Sequence, residues 1–120
     1  ASAPAMEHGR AQRQQGDAAR RIPACVACHG SALTGVQPAT PGLLGLPRDY
    51  INSQLGAWTT AQRRAQAPDC MAQIARLLTS EDVSAVSAWL SAQPVPGNGH
   101  PAASLPAQAP LRCGTLEGER

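Results

Sequence analysis

Cys25-Val26-Ala27-Cys28-His29 is where residue type and spacing converge on a definite chemistry. Two thiols with two residues between them, followed at once by an imidazole, form the attachment pattern of a c-type haem. On a short turn both sulfurs reach the two vinyl groups on one edge of a porphyrin, and the adjacent imidazole lies beneath the iron. The cofactor would then carry the redox chemistry while the chain supplies ligands, orientation and burial. Other readings of the five residues stay open at this point. A thioredoxin-like dithiol wants a preceding strand and a βαβ setting, whereas the upstream segment here is rich in Gln, Arg and Ala and helical in character. A zinc site needs a second ligand pair at compatible spacing, but Cys70 and Cys113 stand alone and His100 lies among Pro and Gly. The plainest alternative is a chance match in a turn.

A low-spin electron-transfer haem needs a second axial ligand opposite His29, and a Met thioether there raises the reduction potential relative to a second imidazole. The chain has two Met residues. Met6 lies in the N-terminal lead-in, and Met71 lies downstream of a loop-rich stretch, at the start of an expected helix. Met71 is therefore the expected sixth ligand, against the plain reading of a core Met. His8 and His100 are the alternatives, each in a terminal segment.

The elements around these residues follow from composition and periodicity. The chain has 120 residues, no Phe, one Tyr and two Trp. A core so poor in aromatics is weak unless a large apolar body fills it, and short chains often need such a staple. The net charge of +2 and the lack of a long basic run argue against nucleic acid. No apolar stretch approaches the length of a membrane span. Ala1-Ser2-Ala3-Pro4-Ala5 reads as a terminus left by signal cleavage or by a chosen chain boundary. Covalent haem and a possible disulfide both point to an oxidising compartment, the periplasm of a bacterium.

Residues 1–6 read as a flexible lead-in and 7–21 as a first helix, with Arg10, Arg13, Arg20 and Arg21 as a solvated face. Pro23 stops helical structure before the motif. Residues 30–47, with Gly30, Gly35, Pro38, Pro41, Gly42, Gly45 and Pro47, are loop, longer than a connector needs. A helix is predicted over Asp49 to Trp58 and another over Asp69 to Leu78, joined by a polar connector. Thr79-Ser80-Glu81-Asp82 then gives a helix start, a hydroxyl cap followed by acidic residues in the positive first turn. Val83, Val86, Trp89 and Leu90 mark its buried face, and Pro94 and Pro96 stop it. From residue 94 to 120 the chain turns to Pro, Ala and Gly, with no strong secondary-structure signal.

The ordered set Ile22-Pro23-Ala24-Cys25-Val26-Ala27-Cys28-His29-Gly30, Pro41-Gly42-Leu43-Leu44-Gly45, Tyr50-Ile51, Gln54-Leu55, Arg63, Met71, Ile74-Ala75, Leu78-Thr79, Glu81-Asp82-Val83 and Ala85-Val86-Ser87-Ala88-Trp89-Leu90 resembles the class I cytochromes c. The similarity is to bacterial periplasmic monohaem carriers and to one half of the two-domain dihaem cytochromes, over about residues 7–93. The resemblance implies an all-α fold of about four to five short helices and long loops around one covalent haem, with an irregular C-terminal tail. It implies that the Pro41 carbonyl accepts a hydrogen bond from His29, fixing its tautomer. It places Arg63 near a haem propionate, which a guanidinium fork suits, and Tyr50 and Trp58 near the same edge. It also implies contact between first and last helices, with Trp89 on the last. Two positions depart from the pattern. Arg13 stands where relatives carry an aromatic, and its alkyl stem could lie across Trp89. Cys70 directly precedes Met71, and Cys113 is its one available partner. In an oxidising compartment the two are expected to pair, tying the tail to the segment that presents Met71.

The function expected from these residues and the resemblance is a non-enzymatic, periplasmic one-electron carrier with a low-spin His29/Met71 haem c. Its partners would be a donor dehydrogenase or reductase and an acceptor oxidase or cytochrome. The alternatives are an electron-transfer subunit or domain of a larger oxidoreductase complex, and a ligand-binding or sensing haem with a labile sixth position.

Overall fold

The computed structural model describes residues 2–30, 32–37, 40–95, 100–103, 105, 110, 111, 113 and 114. Helices α1 (Ala3–Gln14), α2 (Val26–His29), α3 (Arg48–Thr59), α4 (Cys70–Leu77) and α5 (Ser80–Ala92) make the architecture, and among the described residues extended pairing is limited to isolated bridges. The expected all-α architecture of short helices and long loops is the one observed.

The last helix begins where its sequence requires. Thr79 Oγ1 accepts from the Asp82 amide at 3.1 Å, and the Asp82 carboxylate accepts from the Thr79 amide at 2.8 Å, a reciprocal capping box. α1 packs on α5, and α3 packs on both α5 and α4. The crossing of α1 and α5 is close because Gly9 has no side chain: a Cβ there would run into the Ala85 carbonyl and lie 2.6 Å from Trp89 Cβ. The buried face of α5 is accordingly broader than the aliphatic stripe read from the sequence. Ala85, Ser87 and Ala88 are buried beside Val86 and Leu90, whereas Val83 and Trp89 are only partly covered.

Three expectations for the N-terminal region are corrected. Residues 3–6 of the supposed lead-in are helical, because Ser2 Oγ accepts from the Ala5 amide at 3.2 Å and Pro4 sits in the first turn, where its missing donor costs nothing. The first helix ends at Gln14 instead of running to residue 21, because Gly16 takes a positive φ of 64° and a 3₁₀ turn follows at Ala18–Arg20. The arginines are not one solvated face. Arg10 pairs with exposed Glu7, but Arg13 lies over the Trp89 ring at 5.6 Å, and Arg20 bridges Asp17 and buried Asp82.

Leu33, Ile51, Val86 and Leu90 form the main core, with Cys25, Val26, Leu43, Leu44, Leu46, Leu55 and Trp89 packed against it. A second cluster joins Trp58, Ala72 and Ala75 to Ala65 and Met71. Ile51 and Leu55 of α3 serve the first cluster and Trp58 the second, so α3 links the two. The expected stop at Pro94 follows α5 directly. Pro38 of the loop, Pro96 and residues 115–120 of the tail lie outside the described residues.

Candidate cofactor site

α2 is a single turn closed by the His29 amide donating to the Cys25 carbonyl at 2.9 Å. A spacing of three on one helical turn sets Cys25 and Cys28 on the same side, and both thiols are free and half-buried. Burial pushes the Cys25 thiol up to about 11 and raises Cys28 as well, so both are thiols at neutral pH until they are alkylated. His29 is buried, and its Nδ1 lies 2.7 Å from the Pro41 carbonyl. A carbonyl only accepts, so Nδ1 carries the proton and Nε2 keeps the lone pair that a metal needs. Burial also lowers the imidazole pKa, with the Pro41 contact opposing, which favours the neutral, ligand-competent ring.

The loop that brings Pro41 to His29 is built by main-chain bonds. Leu33 N donates to Gly30 O, Gly35 N to His29 O, and Leu43 N to Leu33 O, while Val36 and Thr40 exchange bonds at 2.9 and 3.0 Å. Gly35 is the residue on which this depends. Its φ is 93°, and a Cβ there would sit 2.6 Å from Thr40 O and 2.8 Å from Gly42 N. The tail covers the same loop: Gln37 N donates to Ala102 O and Ala102 N to Gly35 O.

Met71 lies on the first turn of α4, half-buried against the Trp58 cluster. Asp69 caps that turn by accepting from the Ala72 amide at 3.1 Å, and its other oxygen accepts from Ala65 N at 2.8 Å. Cys70 is joined to Cys113, with Cα atoms 5.5 Å apart. Trp58 is buried, and the Arg63 guanidinium stacks over its ring at 5.1 Å while donating to Gln54 at 2.6 Å. Tyr50 is 47% exposed. His8, weighed as an alternative iron ligand, is instead 2.8 Å from Asp82. A cavity of about 260 Å³ lies between α1 and α5, lined by residues including Arg13, Leu33, Leu44 and Trp89, and includes neither His29 nor Met71 in its walls.

Sequence reasoning missed three supports. The positive φ of Gly35 was hidden in a loop with many glycines. Asp69 was read as a helix boundary, and its second bond to Ala65 has no sequence signal. The Arg20–Asp82–His8 network joins residues far apart in the chain, and no local pattern announces it.

The residues present fit a covalent haem. Two unpaired thiols share a turn with a buried imidazole whose Nδ1 is already committed, and the adjoining core is aliphatic. No protein-family model matches the chain. In structure it is similar to one half of cytochrome c4 from Acidithiobacillus ferrooxidans, at TM-score 0.66 and 35% identity over 74% of this chain and 49% of that one. It also matches cytochrome c-554(548) of Halomonas halodenitrificans, 36% identical over 81 residues that make up 65% of this chain and 98% of that protein. The chain belongs to the class I c-type cytochromes. Its cofactor class is therefore haem c, and the relatives matched by sequence are named as a cytochrome c or as electron acceptors. This cytochrome is also 40% identical over 72 residues to the thiosulfate dehydrogenase electron acceptor of Stutzerimonas stutzeri, covering 60% of this chain. With the acceptor of the same name from Thiomonas intermedia it shares 37% over 81 residues, covering 68%. It spans about a third of these two relatives, 33% and 37% of their lengths. The thiosulfate dehydrogenase TsdBA of Marichromatium purpuratum aligns at TM-score 0.66 and 33% identity, over 89% of this chain and 21% of that one.

Proposed function

We propose that this cytochrome is a periplasmic one-electron carrier with one haem c, bound through Cys25 and Cys28 and ligated by His29 and Met71. The observation that carries this reading is the 2.7 Å contact from His29 Nδ1 to the Pro41 carbonyl beside two free thiols. When bound, the haem supplies exchange of a single electron between ferrous and ferric iron. The chain's own residues hold that exchange in place. Pro41 fixes the imidazole tautomer and strengthens its donor nitrogen. Cys25 and Cys28 would hold the ring, and Leu33, Leu43 and Leu90, which pack together with Cys25, would shield it from water. Met71, on the first turn of α4, would be the second protein ligand and would leave the iron no substrate to bind. Trp58 and Arg63, held together, are the candidates for the propionate edge, with Tyr50 at the surface. Among the described residues no helix is long and apolar enough to cross a membrane.

Two relatives are named as electron acceptors of thiosulfate dehydrogenase, which supports a dehydrogenase of that kind as donor and a further cytochrome or an oxidase as acceptor. The partial coverage of those relatives favours a second form of the same reading, in which this domain is one part of a larger electron-transfer chain. The test is to mix the haem-loaded protein with catalytic amounts of a thiosulfate dehydrogenase and thiosulfate, and to follow the reduced visible bands. The expected result is full reduction within seconds. A protein reduced by dithionite but untouched by enzyme and thiosulfate contradicts the donor assignment.

A further inference from the structure

We infer that Cys113 and Gly114 are positioning residues for Met71, clamping the segment that presents it from the outside. The inference rests on the reading of Met71 as the sixth ligand. Residues 65–70 lead directly into the turn that carries Met71, and they are gripped on two sides. On the inner side, the Asp69 carboxylate accepts from Ala65 N and Ala72 N and so closes the segment on itself. On the outer side lies the tail. Cys113 is bonded to Cys70, the first residue of α4, and both are buried with Leu105 and Leu111 against them. Gly114 N donates to Pro68 O at 3.0 Å. Gly114 approaches so closely that a Cβ would run into the carbonyl oxygens of Gln66 and Ala67.

A neutral thioether stays on iron only as well as the chain holds its sulfur there. Departure of Met71 is a local opening of this segment, and the population of the open form is set by the segment's own stability, not by that of the whole fold. An added ligand that binds only the open form reacts in proportion to its population. The covalent bond and the Gly114 contact both keep the segment down. Releasing either therefore enlarges the open fraction without itself removing a bond of α1, α5 or the His29 loop.

The test uses the full, haem-loaded chain and carbon monoxide as probe. In the native protein the ferric form should show the weak far-red band of a Met-ligated haem, and the ferrous form should react slowly with carbon monoxide. Cys113→Ser should weaken that band and speed carbon monoxide binding about tenfold or more. Gly114→Ala should act in the same direction but less, with no free thiol appearing at Cys70. Should Cys113→Ser fail to accumulate, Gly114→Ala decides alone. Native band and native carbon monoxide rates in both variants, or in Gly114→Ala if only it can be made, would overturn the inference while leaving Met71 as ligand. A native protein without the band, binding carbon monoxide at once, would remove the Met71 assignment and this inference together.

Discussion

The two sides of the site are built in different ways. The histidine side is mostly local: main-chain bonds tie residues 25–43 to one another, Ala102 of the tail adds bonds to Gly35 and Gln37, and His29 finds its orienting carbonyl twelve residues away at Pro41. The methionine side is assembled from a distance. Asp69 caps its turn, Trp58 of α3 packs beneath it, and a disulfide across a sequence separation of 43 ties it to the tail. The rigid local half suits a permanent bond. The half held by long-range contacts has a stability of its own, which changes at Cys113 or Gly114 can adjust without removing a bond of the attachment motif.

The largest effect expected of any change falls on the local side. Replacing both Cys25 and Cys28 by Ser should abolish covalent haem, and mass measurement under denaturing conditions should find no retained cofactor. On the distant side, Cys113→Ser should cost about 4 kcal/mol in the chain-entropy model for a loop of this length, read from denaturant unfolding of the oxidised protein. Gly35→Ala forces a Cβ into the Pro41 loop at a positive φ and should cost about 2–3 kcal/mol. It should also broaden the signal of the His29 Nδ1 proton in NMR spectra, whereas Cys113→Ser should leave that proton sharp. Equal disturbance of the proton by both variants would break the contrast between the halves.

A smaller effect concerns the α1–α5 crossing, outside both halves. The Arg20 guanidinium holds the Asp82 carboxyl well below the usual carboxylate range, with Thr79 and His8 adding to it. Because the folded pKa lies below the unfolded one, Asp82 contributes its full stabilisation above about pH 4 and loses it as pH falls toward the folded value. Asp82→Asn should therefore destabilise the protein at about pH 7 and differ less from the native chain at about pH 3, as compared by denaturant midpoints.

What the sequence made legible follows the same division. The attachment turn and the Thr79 start of α5 are short-range patterns whose physics fits within a few residues and is legible directly, whereas the Pro41 contact with His29 comes only from the family resemblance. The bounds of the N-terminal helix depend on two glycines whose settings the sequence does not distinguish. Only Gly16 ends the helix, whereas Gly9 lies mid-helix and makes the crossing with α5 possible. The burial of Asp82 was invisible because its partners, Arg20 and His8, lie on elements that meet it only in the folded chain. The Arg63–Trp58 stack and the Gly114 contact with residues 66–68 are likewise products of folding.

The most direct test of the account compares visible spectra of the oxidised and reduced holoprotein with those of Met71→Ala, before and after carbon monoxide. A His29/Met71 haem gives a far-red ferric band and little carbon monoxide response in the native protein, with the band lost and rapid binding gained in Met71→Ala. A native protein that is high-spin, or that binds carbon monoxide as fast as Met71→Ala does, would contradict the His29/Met71 carrier and leave a haem with an open sixth position.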